Sequence, residues 1–124
     1  MAGKIVADTL EHSTAGSIAT NYVVEGSAKG WCSFAGGEAT LSFHDSLNGS
    51  SLTDNSTGNY SMNLSNAMTD VNYPASYLGN ARSQVGTPGA SHTSTSECKA
   101  RYTNINDSDT DNSFVQMILH GDLA

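Results

Sequence analysis

The sequence predicts an all-β protein, an antiparallel β-sandwich or jelly-roll-like knob of roughly eight strands. Short apolar runs alternate with polar residues, most clearly in Tyr60-Ser61-Met62-Asn63-Leu64. A period of two places the apolar side chains on one face of a sheet. Pairs that favour tight turns, such as Asn48-Gly49 and Gly58-Asn59, separate the runs. No stretch shows a convincing helical period of 3.6 residues, so the pattern indicates strands throughout.

The most regular part of the pattern lies between Trp31 and Leu64. Strands are predicted at residues 31–34, 40–43 and 60–64, and a polar turn segment is predicted at residues 48–59. Trp31 is the only tryptophan. We expect it to be mostly buried, anchoring these strands against the sheet that carries Phe114.

The N-terminal part of the chain is predicted to be extended. Strands are expected at residues 4–10 and 17–25, which contain few large side chains and would bury little alone. We therefore divide the chain into residues 1–27, N-terminal extended strands for attachment or oligomer contact, and residues 28–124, the β-sandwich domain.

The C-terminal half adds further strands and a long loop. Apolar residues alternate from Val71 to Tyr77, but Pro74 cannot donate to a ladder, so this strand is predicted to be an edge or to carry a bulge. Residues 80–96 are rich in Gly, Ser and Thr, and a loop this long is either mobile or functional. Residues 97–105 return to a strand, with Cys98, Ala100 and Tyr102 on one face. The last strand, residues 114–119, is apolar on both faces, which predicts that both faces are covered.

The supply of core residues is small, which predicts self-association. Only 21 of the 124 residues are Leu, Ile, Val or Phe. A chain with so little apolar material can complete its core by pairing with copies of itself. The candidate oligomer-interface residues come from the last strand. They are Phe114, Val115, Met117, Ile118 and Leu119.

The charge balance excludes several classes of partner. The net charge is −7 with only five Lys and Arg residues, so the chain cannot neutralise many phosphates, and nucleic acid is excluded. An anionic membrane surface is disfavoured for the same reason. No apolar run approaches the roughly 20 residues of a membrane span, so no membrane insertion is expected. The N-terminus lacks the apolar stretch of a signal peptide, so synthesis in the cytosol is expected.

Residues with potential chemistry do not form a recognisable catalytic or metal-binding pattern. Asp107, Asp109 and Asp111 open like a calcium loop, but Asn112 replaces the required glycine and Ile118 the required bidentate glutamate. The four histidines are scattered singly. In His44-Asp45-Ser46, adjacent strand residues point to opposite faces and cannot relay a proton. We predict no catalytic residues, no metal and no cofactor.

Cys32 and Cys98 both fall inside predicted strands. Buried free thiols are the favoured interpretation, because cytosolic synthesis keeps thiols reduced, and a disulfide between the two is the alternative.

Four segments within residues 4–77 resemble fibre-like virion proteins of tailed phages, particularly marine ones. Residues 4–10 and 14–18 resemble their "xxVDTI…xxGTGS" opening, and residues 26–34 their "GSAKAWxxF" segment. Residues 51–64 are similar to "SSxTDNGTGDYTxNF", and residues 66–73 to "xAMxDxNY". One departure is Asn55-Ser56 in place of the usual Asn-Gly.

The resemblance implies a virion structural role, trimeric assembly and no enzymatic activity. We therefore expect a homotrimer on the virion surface, made in the host cytoplasm: a tail-fibre or spike tip that binds a host surface glycan or protein. The alternative is a capsid decoration protein, a cement or head fibre that contacts other virion proteins. Partner contacts are expected on loops held by the rigid sheet. The candidate residues are Arg82, Gln84, His92, Asn55, Asn59 and Asp109.

Overall fold

The structure is a computed structural model that describes residues 3–80, 84–86 and 94–124. Strands account for 49% of it, with one short helix, and the described strand pairs are antiparallel, which confirms the prediction of an all-β chain. The elements in chain order are β1 Thr9–His12, β2 Gly16–Ala19, α1 Thr20–Gly26, β3 Gly30–Phe34, β4 Phe43–Leu47, β5 Gly49–Ser56, β6 Asn59–Leu64, β7 Ala75–Gly79, β8 Gln84–Gly86, β9 Glu97–Thr103 and β10 Val115–Leu119.

Within the described ranges, the strands from β3 onward form two four-stranded sheets. The first sheet has the order β4-β3-β10-β7, and the second has the order β5-β6-β9-β8. The chain crosses from one sheet to the other where β4 runs into β5 through Asn48, whose φ is 60°. β7 is an edge strand and begins directly after Pro74, as the proline predicted.

The buried side chains of both sheets form one hydrophobic core. At its centre the ring of Phe34 meets Tyr60 edge-on, with centroids 5.4 Å apart, and the ring of Tyr60 lies 6.0 Å from that of Tyr102. The alternation in β6 and β9 correctly identified their inner faces. The core members are Cys32, Phe34, Val115, Met117 and Leu119 from the first sheet, Tyr60, Met62, Leu64, Cys98, Ala100 and Tyr102 from the second, and Met68 and Tyr73 from the segment between β6 and β7.

The last strand is not covered on both faces by its own chain. β10 lies between β3 and β7, and Val115, Met117 and Leu119 are fully buried in the core. These three side chains have no accessible surface, so they cannot contact a second copy unless the core opens. Phe114 and Ile118 alternate with them and are 39% and 42% exposed. Of the predicted interface residues, these two retain surface for a partner.

Trp31 lies on the outer face of the first sheet, and the prediction that it anchors the core is wrong. Cys32 and Phe34 fill the inner face of β3, so the neighbouring positions Trp31 and Ser33 face outward. Trp31 is only partly buried. The alternation within β3 was present in the sequence, but the face that points inward depends on the partner strands.

The N-terminal segment also differs from the prediction. β1 and β2 form a small hairpin, and residues 20–25, expected as the rest of a strand, belong to helix α1, Thr20–Gly26. The reason is the length of the partner strand. The ladder pairs Thr9–His12 with Gly16–Ala19, one further backbone bond joins the Thr20 N–H to the Asp8 carbonyl (2.9 Å), and no strand partner is described beyond it. A helix satisfies its backbone groups internally and needs no neighbouring strand.

Between Phe43 and Gly58 the strand boundaries are shifted. β4 begins at Phe43, where a strand was expected to end, and β5 occupies residues expected as turns. β5 is hard to recognise because Leu52, opposite Met62, is its only large apolar residue. Two predicted turn positions are correct, since Asn48 and Gly58 adopt positive φ values of 60° and 69°.

Candidate functional surfaces

The body, residues 28–124, has two ends that are defined by β3. β3 starts at Gly30, directly after the N-terminal segment, and the backbone N–H of Lys29 donates to the carbonyl of Leu119 there (2.8 Å). β3 ends at Phe34, which lies four residues beyond Gly30 and therefore roughly 13 Å further along the strand. We call the Gly30 side the proximal end and the Phe34 side the distal end.

Three connecting segments meet at the distal end. The β5–β6 turn contributes Gly58, whose N–H donates to the Asp111 carboxylate (2.7 Å) and whose carbonyl accepts from Tyr102 N–H (2.7 Å). The loop after β3 joins them, since Gly36 N–H donates to the Asn112 carbonyl (2.7 Å). The turn, the loop after β3 and the segment before β10 are therefore held together by hydrogen bonds.

The structure brings three of the predicted partner-binding residues to this distal end. Asn59 lies opposite Arg101 in the β6–β9 register, and the Arg101 guanidinium binds Asp109 (2.6 Å). Asn55 lies in the same turn region and donates to the Ser61 hydroxyl (2.7 Å). These groups are near one another, and each already makes an intramolecular contact.

The other predicted partner-binding residues lie in or beside the long loop. Gln84 begins β8, a three-residue strand that pairs with β9 opposite Thr103, so its backbone also belongs to the distal region. Arg82 and His92 lie outside the described residues.

The distal end is acidic. Asp54 lies near the end of β5, Asp107, Asp109 and Asp111 lie in the segment between β9 and β10, and the guanidinium of Arg101 is paired with Asp109. A surface of this sign repels phosphate-rich partners and favours neutral or cationic ones.

The outer face of the second sheet is polar and internally hydrogen-bonded. The Asn63 amide donates to the hydroxyls of Ser51 and Thr53, both at 3.0 Å. Beside them Lys99 pairs with Glu97 at 3.5 Å. This face offers little apolar surface to a partner.

The outer face of the first sheet is apolar at its proximal end. The register places Leu47, Trp31 and Ile118 side by side on three adjacent strands, and we call these three residues the apolar row. Leu47 is 47% exposed and Ile118 is 42% exposed. Leu78 and Phe114 add further exposed apolar surface to the same face.

A shallow depression of about 210 Å³ borders the apolar row. Trp31 and Ile118 supply its apolar wall, and Ser33, Asp45 and Gln116 supply polar groups. The volume is below the roughly 300–1,000 Å³ of a typical small-molecule site. The depression is therefore large enough for one side chain or one small ring.

The N-terminal arm, residues 3–27, contributes no side chain to the core. No residue of this segment is buried, and Thr20 alone is intermediate. An open hollow of about 360 Å³ lies between residues 4–7, Leu10 of the hairpin and helix α1. The exposed apolar residues of the arm are Ile5, Val6, Leu10, Ile18, Tyr22, Val23 and Val24.

The buried titratable groups are neutral parts of the core. Burial raises the pKa of the Cys32 thiol to about 12 and that of Cys98 to about 11, and both cysteines are free. Burial likewise raises the pKa of Tyr73, Tyr77 and Tyr102. Groups held in their protonated form are poor nucleophiles at neutral pH. Among the described residues, no group of three or more His, Cys, Asp or Glu side chains is arranged to hold a metal ion.

The sequence did not reveal the apolar row or the unburied state of the arm. The signal for the row was the spacing of Trp31 from Cys32 and Phe34, which puts the tryptophan on the opposite face. This signal predicts an apolar row only if Leu47 and Ile118 are known to flank Trp31. The cross-strand register that places them there cannot be read from a single run of residues.

Comparison with protein-family models, curated proteins and solved structures gives no match. Over the described ranges, none of the helices has the length and apolar character needed to cross a bilayer.

Proposed function

We propose that this chain is a structural protein of a tailed-phage virion, displayed on the particle surface as the tip or receptor-binding module of a tail fibre or spike. In this proposal the two sheets form a β-sandwich knob, and the working form is a homotrimer. The choice of this class of protein rests on the four sequence segments that resemble fibre-like virion proteins.

The two-ended arrangement of the body is the observation that carries the proposal. An arm rich in exposed apolar residues joins the proximal end, and a hydrogen-bonded group of turns and loops occupies the distal end. A displayed module needs such a division, because one end must be held by the particle while the other faces the host. Loops on a rigid sheet are common sites of recognition.

The surface chemistry agrees with display in many copies. Ser, Thr and Asn side chains cover the outer face of β5 and β6 and hydrogen-bond to one another, as Asn63 does with Ser51 and Thr53, while the charges of Lys99 and Glu97 on neighbouring β9 are paired with each other. Such a face remains hydrated with few charges and does not attract copies of itself.

Localisation on the particle tests the role directly. Antibodies against the recombinant protein, applied to virions of the phage that encodes it and viewed by electron microscopy, should label the end of a tail fibre or spike. Antibody label on the head would contradict the fibre-tip role and favour capsid decoration, in which the arm would contact the shell proteins. Absence of the chain from purified virions, measured by mass spectrometry, would overturn the virion role.

An adsorption assay tests the distal end as the contact surface. Purified protein should compete with the phage for host cells. Ser108 is an exposed distal residue and Ser50 an exposed proximal one, so Ser108→Arg and Ser50→Arg make the same change at opposite ends. Ser108→Arg should abolish competition and Ser50→Arg should preserve it. Equal competition by both variants would remove the distal end from the host contact.

A further inference from the structure

We propose that the N-terminal arm of one copy packs on the apolar row (Leu47, Trp31, Ile118) of a second copy of the same chain. The inference rests on the homotrimer part of the proposed function and deepens it by naming the two surfaces that meet.

The arm does not have enough contacts to be stable alone. α1 has seven residues, no side-chain cap at Ala19 and no acidic residue in its first turn, and isolated helices this short are marginal in water. The β1–β2 hairpin has four residues per strand, and a lone two-stranded hairpin is equally marginal. Ile5 and Val6 are 91% and 81% exposed. A covering surface would remove these side chains from water and stabilise both elements.

The apolar row is the covering surface that this chain offers. Trp31 joins Leu47 and Ile118 into a continuous strip across three strands. The outer face of the second sheet is not suitable, because Asn63, Ser51 and Thr53 would lose water when an apolar arm covered them.

The position of the arm indicates that the occupant is a second copy. The arm joins the body at Lys29 and Gly30, directly before Trp31. Each copy therefore carries an apolar arm and an apolar row at the same end. In a ring closed by rotation, these surfaces alternate around the axis, and each arm lies beside the row of its neighbour.

Charge complementarity agrees with this pairing. Lys4 lines the apolar hollow of the arm, and Asp45 borders the row. Asp45 accepts a hydrogen bond from Ser46 N–H, but neither Lys4 nor Asp45 has an ion-pair partner among the described residues, whose pairs are Lys99–Glu97 and Arg101–Asp109. Opposite charges beside the two apolar surfaces favour one orientation of the arm on the row.

Cysteine cross-linking of the full chain tests the contact. A mixture of Val24→Cys and Leu47→Cys chains should form a disulfide-linked dimer of the two variants under mild oxidation. The native Cys32 and Cys98 are buried and should not compete. Thr53→Cys, on the polar face of the second sheet, is the matched control and should give no link with Val24→Cys. Absence of the Val24–Leu47 link, or equal linking to both positions, would overturn the inference.

Charge reversal supplies a second, independent measurement. Lys4→Glu and Asp45→Lys should each weaken self-association about two- to fivefold, and the double variant should recover it. Leu47→Glu should weaken it at least tenfold, since a charge would then be buried under the arm. Light scattering over a concentration series measures these changes, and circular dichroism verifies the fold of each variant.

The outcomes separate the inference from the proposal on which it rests. Oligomers that are unaffected by Leu47→Glu would overturn the arm-on-row contact and leave the homotrimer in place. A parent chain that stays monomeric at high micromolar concentration would overturn both. A monomeric parent that forms an intramolecular disulfide in the Val24→Cys/Leu47→Cys double variant would show that the arm covers its own row, which also overturns the second-copy contact.

Discussion

The hydroxyl of Tyr60 lies 2.9 Å from the carbonyl oxygen of Gly36 and 2.9 Å from the carboxylate of Asp111. Tyr60 belongs to the second sheet, Gly36 lies two residues after the end of β3 in the first sheet, and Asp111 precedes β10. One buried side chain thus ties together three segments of the distal end, the surface to which we assign recognition.

A methyl group at Gly36 should destabilise the fold. It would lie 2.6 Å from the ring and hydroxyl of Tyr60 and 2.8 Å from the Asn112 carbonyl. Gly36→Ala should therefore lower the free energy of unfolding by about 1–3 kcal/mol, as overpacking of a filled site does. At Gly37 an added Cβ meets no atom within 4 Å, so Gly37→Ala is the control. Urea denaturation of the two variants at one protein concentration measures the difference, and similar stabilities would contradict it.

Removal of the Tyr60 hydroxyl should loosen the same region. Tyr60→Phe keeps the ring contact with Phe34 but removes the single hydroxyl proton that Gly36 and Asp111 share, and the oxygen that accepts from the Asn112 N–H, at a cost of about 1–3 kcal/mol. Tyr22→Phe, at a residue that is 66% exposed, should change stability by less than about 0.5 kcal/mol. Hydrogen exchange should also show faster exchange of the Gly58 amide in Tyr60→Phe. If the exchange rate of the Gly58 amide is unchanged in Tyr60→Phe, the Tyr60 hydroxyl does not stabilise the distal end.

Two glycines with positive φ should respond very differently to alanine. Gly58 (φ 69°) and Gly16 (φ 93°) both adopt a conformation that costs other residues about 1–2 kcal/mol. At Gly58 the new Cβ would also lie 2.5 Å from the Tyr102 carbonyl, whereas at Gly16 it meets nothing within 4 Å. Gly58→Ala should therefore lower the melting temperature clearly more than Gly16→Ala. The reverse order in a thermal melt would contradict the described turn.

Trp31→Ala should destabilise the isolated chain less than Phe34→Ala. Phe34 is fully buried at the centre of the core, and truncation of such a residue costs about 3–5 kcal/mol. Trp31 is partly exposed on the outer face, so its truncation removes fewer contacts. The comparison belongs at the lowest workable protein concentration, where the row is least covered by other copies. If the two variants lose the same free energy of unfolding at that concentration, Trp31 is buried in the core and the described position is wrong.

Alkaline pH should destabilise the fold. Burial raises the pKa of Cys32 from 9.0 to about 12 and that of Cys98 from 9.0 to about 11, and it raises the pKa of Tyr60, Tyr73, Tyr77 and Tyr102 in the same direction. The unfolded chain therefore loses these protons first. The stabilisation from the two thiols is complete below pH 9 and is lost as the pH rises from about 9 to about 12.

Urea unfolding across this pH range measures the alkaline effect. Cys98→Ala should show a shallower fall of stability between pH 9 and about 11, because it lacks one of the titrating groups. A parent chain whose stability is constant up to pH 12 would contradict the burial of the thiols.

The alternation of residues determined the parts of the fold in which each strand carries its own signal. β6 and β9 were located with the correct inner faces, and Pro74 marked β7 as an edge. Asn48 and Gly58 were recognised as turn positions. These features are local, because a period of two, a missing N–H and a tolerance for positive φ belong to the residues themselves.

Only the tertiary structure decided which surfaces are free. Whether Trp31 faces the core or the solvent depends on β4 and β10 beside it, and whether residues 20–26 are strand or helix depends on the length of β1. Likewise, β10 is apolar on both faces in the sequence, but the second sheet covers only the face of Met117 and leaves Ile118 exposed. The physical reason is that burial is a property of pairs of elements: the sequence states what each residue prefers, and the packing of the sheets determines which of those preferences are met.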